Sequence, residues 1–310
     1  MRDATVRQLQ ILVSLAKNLS FTRAAEELRL TQPAVSMQIK ALEELAGVPL
    51  VERVGRQVAL TEAGSRTLRH AQAVLRSLDD AEEDLAALRG LETGRVSIGV
   101  VSTAKYFAPK LLALFARQHP GVELKLAVNN REVVLELLTG NEVDLALMGT
   151  PPRSLETSAF RFARHPLVII AAPEHPLARR RRVPVKALAA ETFLVREPGS
   201  GTRAAMERFF AAHRISPATT TEISSNETIK QAVMAGMGLA FLSQHAVGLE
   251  LSAGQLVLLD VEGLPVMRGW NIVHRNEKRL SPAALAFKQF VLKEGRAFLA
   301  DWPGGRGTGS

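Results

Sequence analysis

Residues 20–44 read SFTRAAEELRLTQPAVSMQIKALEE. Ser20 or Thr22 can cap a helix carrying Ala24, Ala25 and Leu28, because a hydroxyl there satisfies an orphan backbone N–H. Arg29-Leu30 leaves a tight connection. Thr31 can cap the next helix, and Pro33 falls near its first turn, where the missing N–H costs nothing. In this second helix Val35, Ile39 and Leu42 share one stripe and should face inward, while Gln32, Pro33, Ser36, Met37 and Lys40 fall on the opposite side. Two short helices with small residues at their contact, a tight turn and a polar face on the second helix make a helix-turn-helix. On composition alone, a plain three-helix bundle with a solvated face fits as well.

The polar face carries chemistry suited to DNA. Gln32 and Ser36 can hydrogen-bond base edges, and Met37 can offer apolar contact to a thymine methyl. Thr31 and Lys40 are better placed for phosphate. Upstream, Val6, Leu9, Leu12, Val13 and Ala16 recur at spacings of three and four, Thr5 with Gln8 makes a capping box, and Asn18-Leu19-Ser20 ends that helix. Downstream, Thr61 and Glu62 open a long helix reaching about Gly90, on which Leu68, Ala71, Leu75, Leu78, Leu85 and Leu88 approximate a seam. An ordinary amphipathic helix packed on its own domain would look similar. Gly90-Leu91-Glu92-Thr93-Gly94 is the natural hinge.

The pattern then changes. RVSIGVV, VELKLAV and VDLALMG read as strands separated by the amphipathic stretches Tyr106–Gln118 and Arg131–Leu138. A second such unit runs from PLVIIAAP through ETFLVRE and ISSNETIKQAVMAGMGLAFLS. WNIVHR and a helix at Pro282–Phe298 then return to the first. Strands alternating with helices mean a parallel α/β sheet, here in two lobes joined by crossover strands. The fold class is therefore mixed: an all-α helix-turn-helix at 1–61, a long helix at 62–90, and a two-lobed α/β, periplasmic-binding-protein-like domain at 91–300. Lobe 1 spans about 95–161 plus 267–300 and lobe 2 about 162–266. The Gly-rich residues 301–310 read as a disordered tail.

In such folds ligands sit at the carboxyl ends of strands, between lobes. That picks out Ser102, Thr103 and Lys105 after the first strand, and Asn129, Asn130 and Arg131 after the second. Gly199-Ser200-Gly201-Thr202-Arg203 opens a helix with a turn that presents N–H groups to anions. Asn226 and Thr228 open another helix, and His175 and Arg196 lie near these turns in sequence. Capping alone would explain Ser102, Thr202 or Asn226 singly. Gly236 and Gly238 read as a helix end and turn, and Arg179 to Arg182 as a solvated loop.

Composition narrows the classes. The net charge is +8, yet residues 1–66 hold nine Lys/Arg against seven Asp/Glu, leaving +2, so the motif and not the charge carries the nucleic-acid reading. There are no cysteines, which excludes disulfides, thiol catalysis and cysteine metal sites and is consistent with a cytoplasmic protein. No stretch of eighteen uncharged apolar residues appears, so no membrane partner is expected. No HExxH, Walker loop, GxSxG elbow or post-strand GxGxxG is present, so an enzyme is not expected. The N-terminal motif and the lack of a signal peptide argue against a transport binding protein. His119, His165 and His175 each precede proline, which suggests loop ends.

SFTRAAEELRLTQPAVSMQIKALEE, with GVPLVER and ALTEAG, resembles the DNA-binding signature of LysR-type transcriptional regulators over roughly sixty-five residues. NREVVLELL, HPLVIIAAPEHPLA, FLVREPGSGTR, NETIKQAVMAGMGLAFLS and LPVMRGWNIVHR, with STAKYFAPKLLALFARQHPGVEL, resemble the regulators of Calvin-cycle (RuBisCO) operons, the CbbR subgroup, to about residue 300. Ala46 and Val51 depart from the family's larger apolar residues, and Asn271 stands where the subgroup has an aromatic. The resemblance implies a strand-like wing at Val51 to Leu60, with Arg53 and Arg56 as phosphate contacts. It implies a linker helix that pairs subunits and sets two recognition helices in successive major grooves of a near-palindromic double-stranded DNA site. It further implies a dimer of dimers that activates carbon-fixation genes with RNA polymerase, and no cofactor beyond a non-covalent, small anionic effector such as a sugar phosphate, phosphoenolpyruvate or NADPH. The effector role is carried to Ser102, Thr103, Lys105, Asn129 and Arg131, and to Thr202, Arg203 and Asn226. A LysR-type regulator of another metabolic operon is the alternative.

Overall fold

The structure, a computed structural model, describes residues 1–54, 57–88, 93–152 and 155–300. The chain divides into two compact units, Met1–Arg89 with Gly140–Glu142, and Gly90–Thr139 with Val143–Ser310.

The first unit opens with α1 (Val6–Asn18), held at its start by the reciprocal Thr5–Gln8 capping box. α2 (Phe21–Leu28) is capped by Ser20 and not Thr22, and α3 (Gln32–Ala46) by Thr31 with Pro33 in the first turn. Leu19 and Arg29 close α1 and α2 in the left-handed region, at φ 48° and 54°. Each cap contributes about 0.5–2 kcal/mol. Val35, Ile39 and Leu42 of α3 are buried with Ala24 and Ala25 of α2 and with Leu12 and Leu15 of α1. In α1 the buried stripe is rotated from the expected one. Ile11, Leu12 and Leu15 are fully buried, Val6 is exposed, and Val13 and Ala16 are half-buried, because the stripe in the shared core centres on Ile11 and Leu15. Ala46 and Val51 pack partly buried against the same core.

Two short strands follow, β1 (Val51–Val54) and β2 (Gln57–Leu60), paired antiparallel from Val51↔Leu60 to Val54↔Gln57. The Glu43 carboxylate accepts from the Leu50 and Val51 amides at 2.8 and 3.1 Å, tying this wing to the end of α3. α4 (Glu62–Leu88) carries Ala71 and Leu75 into the core, while Val74, Leu78 and Leu85 are exposed.

The second unit is built on one nine-stranded sheet of order β4-β3-β5-β11-β6-β9-β7-β8, with β10 paired to β6. Its elements are, in chain order, β3 (Gly94–Val101), α5 (Ala108–Gln118), β4 (Val122–Asn129), α6 (Arg131–Thr139) and β5 (Leu145–Met148), then β6 (Thr157–Ala171), β7 (Thr192–Val195), α7 (Gly201–His213), β8 (Thr219–Glu222), α8 (Asn226–Met234), β9 (Leu239–Ser243), α9 (Gly248–Ser252), β10 (Val257–Leu258), β11 (Val266–Arg275) and α10 (Pro282–Ala300). β3 pairs parallel with β4 and β5, and β7 pairs parallel with β8 and β9. One lobe's core gathers Phe107, Phe115, Trp270 and Phe287. The other is covered by Phe193, Phe209 and Phe210 in one apolar cluster and by Ile229 and Val233 in another. β6 and β11 run antiparallel over ten register pairs through both lobes. Among the described residues no helix is long and apolar enough to cross a membrane. Residues 301–310 lie outside the described residues, as does most of the hinge at 90–94.

Gly64 in the first turn of α4 is fixed by crowding: a Cβ there would stand 1.9 Å from the Leu50 carbonyl oxygen. Backbone cannot retreat as a flexible side chain can. Gly64→Ala is expected to destabilise the first unit by about 1–3 kcal/mol and to weaken DNA binding by displacing the wing. Thermal unfolding with a fluorescence DNA-binding assay checks this, and an unchanged melting temperature would contradict it.

Candidate functional site

The first site is the exposed face of the second helix of the helix-turn-helix. Gln32, Pro33, Ser36, Met37 and Lys40 are all exposed, and Met37 is 69% accessible, an apolar side chain that α3 offers to the outside instead of the core. Thr31 Oγ1 accepts from the Ala34 amide at 3.4 Å, which leaves its O–H free to donate. Arg53 is exposed on β1 opposite Val58. Arg56 lies outside the described residues.

The second site lies between the lobes of the α/β unit. β3 ends at Val101 and is followed by Ser102 and Thr103, and facing them is the N-terminus of α7, capped by Ser200. Thr103 Oγ1 and Thr202 Oγ1 stand 3.5 Å apart, and Arg196 donates to Ser102 Oγ at 3.3 Å, so polar contacts cross the cleft at its floor. Gly199 sits at φ +80°, and a Cβ on it would stand 2.4 Å from the Glu132 carboxylate. The turn at the head of α7 therefore needs glycine for its backbone conformation.

Above this floor opens a cavity of about 440 Å³ whose walls include Arg131, Arg208 and Arg268 together with Ser200 and Gly201. A smaller pocket of about 30 Å³ lies against Ser102, Thr103, Thr202, His165 and Arg268. Arg131 Nε donates to the Thr150 carbonyl at 3.2 Å, and Arg268 donates to the Gly201 carbonyl at 3.2 Å. Both bonds are to neutral main chain. Burial first, then Arg208 and Arg131, brings the Arg268 guanidinium down to about 10. Burial and then Arg208 lower Arg131 as well. The carboxylate on the wall, Glu207, is bonded to Arg203 Nε at 2.9 Å. Three like charges converge on a half-enclosed space beside a helix N-terminus, an arrangement complementary to an anion.

The structure brings Ser102, Thr103, Arg131 and Thr202 together at this cleft as expected from the sequence. It treats the others differently. Asn129 contributes its carbonyl, which accepts from the Ser102 amide at 2.7 Å, while its neighbour Asn130 lines the pocket. Lys105 stays away from the cavity wall because it lies over the Tyr106 ring and faces Glu227 at 3.8 Å. Arg203 reaches the cavity, but its guanidinium is committed to Glu207, Glu222 and the Arg196 carbonyl. Asn226 is buried behind the wall, its side chain accepting from Arg196, and Ser225 is the residue that caps α8. His175 caps a short turn and faces Glu191 at 3.3 Å. His165 is not at a loop end: it lies inside β6, buried, with its ring stacked on Trp270 at 3.9 Å.

Sequence reasoning missed Arg208, Arg268 and His165. Arg268 and His165 are register partners on β11 and β6, more than a hundred residues apart, and no local pattern links them. Replacing Arg268 with Gln keeps a donor for the Gly201 carbonyl and removes one of the crowded charges. Arg268→Gln is expected to leave the melting temperature without added anion unchanged or raised, and to abolish the extra stabilisation by phosphate over chloride at equal ionic strength. Loss of stability in the variant without added anion would contradict the like-charge reading.

Comparison with known proteins identifies the family of both units. The family model "LysR substrate binding domain" matches residues 89–296, and "Bacterial regulatory helix-turn-helix protein, lysR family" matches residues 6–65. The "HTH-type transcriptional regulator CfxR" of Cupriavidus necator is 52% identical over 305 residues, covering 98% of this chain and 96% of the relative. A "RuBisCO operon transcriptional regulator" of Allochromatium vinosum is 50% identical over 290 residues, covering 94% of this chain and 96% of the relative. The regulatory domain of Synechocystis PCC6803 CcmR, solved in complex with 2-PG, superposes with a TM-score of 0.63 at 38% identity, covering 65% of this chain and 97% of that chain. These relatives are named as regulators and not as enzymes. The chain belongs to the LysR family of DNA-binding bacterial transcriptional regulators.

Proposed function

We propose that this regulator activates carbon-fixation genes, those of the RuBisCO operon, in response to a small phosphorylated or carboxylated metabolite bound between the lobes of its α/β unit. The observation that carries the reading is the convergence of Arg131, Arg208 and Arg268 on the inter-lobe cavity, where Arg131 and Arg268 are bonded to main-chain carbonyls. A dianion entering there would relieve the mutual repulsion and gain the α7 N-terminus as well. The choice of operon is supported by the RuBisCO operon regulator among the relatives.

In this proposal Gln32, Ser36 and Met37 read bases, with Pro33 on the same face, and Thr31, Lys40, Arg53 and Arg56 hold phosphates. The exposed Val74, Leu78 and Leu85 of α4 support self-association through that helix. Two dimers would occupy adjacent sites and bend the intervening duplex, with avidity tightening the assembly. Effector binding changes the angle between lobes, shifts subunit packing and relaxes the bend, which alters the contact with RNA polymerase in the cytoplasm. Coupling of this kind is typically about 1–3 kcal/mol.

A thermal-shift panel of ribulose bisphosphate, phosphoenolpyruvate, NADPH, 2-PG and control anions tests the effector reading, since a ligand of the folded state raises the melting temperature with concentration. A selective, saturable rise with one carbon-metabolism anion, lost in Thr202→Ala, is expected. No shift beyond the controls would contradict the reading and favour a LysR-type regulator serving another operon.

A further inference from the structure

His165 is a buried imidazole that no described group satisfies. It is 4% exposed, and neither ring nitrogen has a hydrogen-bond partner among the described residues. A buried polar side chain left in this condition is destabilising, which a fold tolerates where a ligand or bound water completes it. The ring is held rigidly. One face stacks on Trp270 at 3.9 Å with 14° between the planes. Gly149 has no side chain to displace it: a Cβ there would stand 2.8 Å from His165 Nδ1. The same ring lines the small pocket beneath the arginine cavity, together with Ser102, Thr103 and Thr202.

The charged and titratable neighbours of this ring are all basic or neutral. Across the strand pair is Arg268, its register partner. Arg131 at the start of α6 and Arg196 after β7 line the same pocket. His245, from the turn after β9, lies 6.2 Å away ring to ring and accepts from Trp270 Nε1 at 3.4 Å. The head of α7 adds Ser200, Gly201 and Thr202. The Glu197 carboxylate, next to Arg196 in the chain, is taken up by that arginine at 2.7 and 2.8 Å. Burial, then His245 and Arg268, hold the His165 imidazole well below its ordinary range. Burial alone brings His245 down to about 4.

We propose that His165 is a specificity-determining residue of the effector pocket: it hydrogen-bonds the anionic group of the effector and takes up a proton from solvent as that anion binds. This rests on the anion reading of the cleft given above. An empty pocket leaves His165 among positive charges, so the neutral ring is favoured. An entering anion reverses the local potential, and the imidazolium then gains a charge-assisted hydrogen bond that the neutral ring cannot make. Binding and protonation are therefore linked, and affinity rises as pH falls, by up to about tenfold per pH unit for one full proton. A phosphomonoester dianion is selected over a neutral sugar by the same device.

The experiment is isothermal titration of the full chain with 2-PG at pH 7.5, in two buffers of different ionisation enthalpy, for wild type, His165→Gln and His245→Gln. At this pH a phosphomonoester is largely dianionic, since its second pKa lies near about 6, and the variants correct for what remains. The expected result is net proton uptake, up to one per site, in wild type and His245→Gln, with uptake absent and affinity reduced roughly tenfold or more in His165→Gln. Should His165→Gln fail to fold, the wild-type chain alone decides through the pH dependence of its affinity between pH 6.5 and 8. Binding without proton uptake, or uptake lost only in His245→Gln, would overturn the role of His165 while leaving the anion site intact. Absence of binding by wild type would overturn the anion site and this proposal together.

Discussion

The antiparallel pairing of β6 with β11 is the constraint on which the effector unit depends. The two strands run ten register pairs through both lobes and set His165 opposite Arg268. A one-residue slip would reverse every side chain between the faces of the sheet, sending Trp270 out of the core and Arg268 away from the cleft. The register is irregular at one place, between Trp270 and Asn271, and there the Asn271 amide donates to the Gly269 and Gly149 carbonyls at 3.0 and 3.2 Å. The Asn271 side chain thus ties β11 to the end of β5 beside the pocket. An aromatic at that position would lack those donors.

The cleft combines two kinds of contact. Thr103 with Thr202, and Arg196 with Ser102, join the lobes through hydrogen bonds that end on hydroxyls. The arginines above them repel one another. A site assembled this way spends stability in its empty state and recovers it when an anion arrives, which is how binding energy can be converted into a change of lobe angle. The first unit has the opposite character. Its caps, its alanine contacts and the crowded Gly64 leave the helix-turn-helix little freedom.

Much of the DNA-binding unit was legible in sequence because its determinants are local. Hydroxyls at 5, 20 and 31 specify helix starts, and the three-four spacing of Val35, Ile39 and Leu42 specifies the buried face. The rotated face of α1 was less legible, since Val6, Val13 and Ala16 are as apolar in sequence as the Ile11 and Leu15 that the core selects. β8, written Thr-Thr-Thr-Glu, is exposed throughout and gives no apolar alternation. In the first half of β6, Ala159, Phe160, Arg161 and Arg164 are exposed while Phe162 and Ala163 are buried, so no period of two marks it as a strand. Pro166 misdirected the reading of His165, because proline at a strand position suggests an end that the sheet does not make there. The arginine cluster was out of reach: residues 131, 208 and 268 come from three separate elements, and only the fold brings them to one wall.

In the proposed mechanism an anion at the arginine wall governs how the protein holds its DNA. The decisive measurement is energy transfer between the two ends of a promoter DNA that carries the regulator's binding site, with the full chain bound and 2-PG or phosphoenolpyruvate titrated in. The end-to-end distance is expected to lengthen as the bend relaxes, with a midpoint equal to the effector's dissociation constant for the DNA-bound protein, as linkage requires. A distance that stays constant at an effector concentration shown to saturate the protein would contradict it.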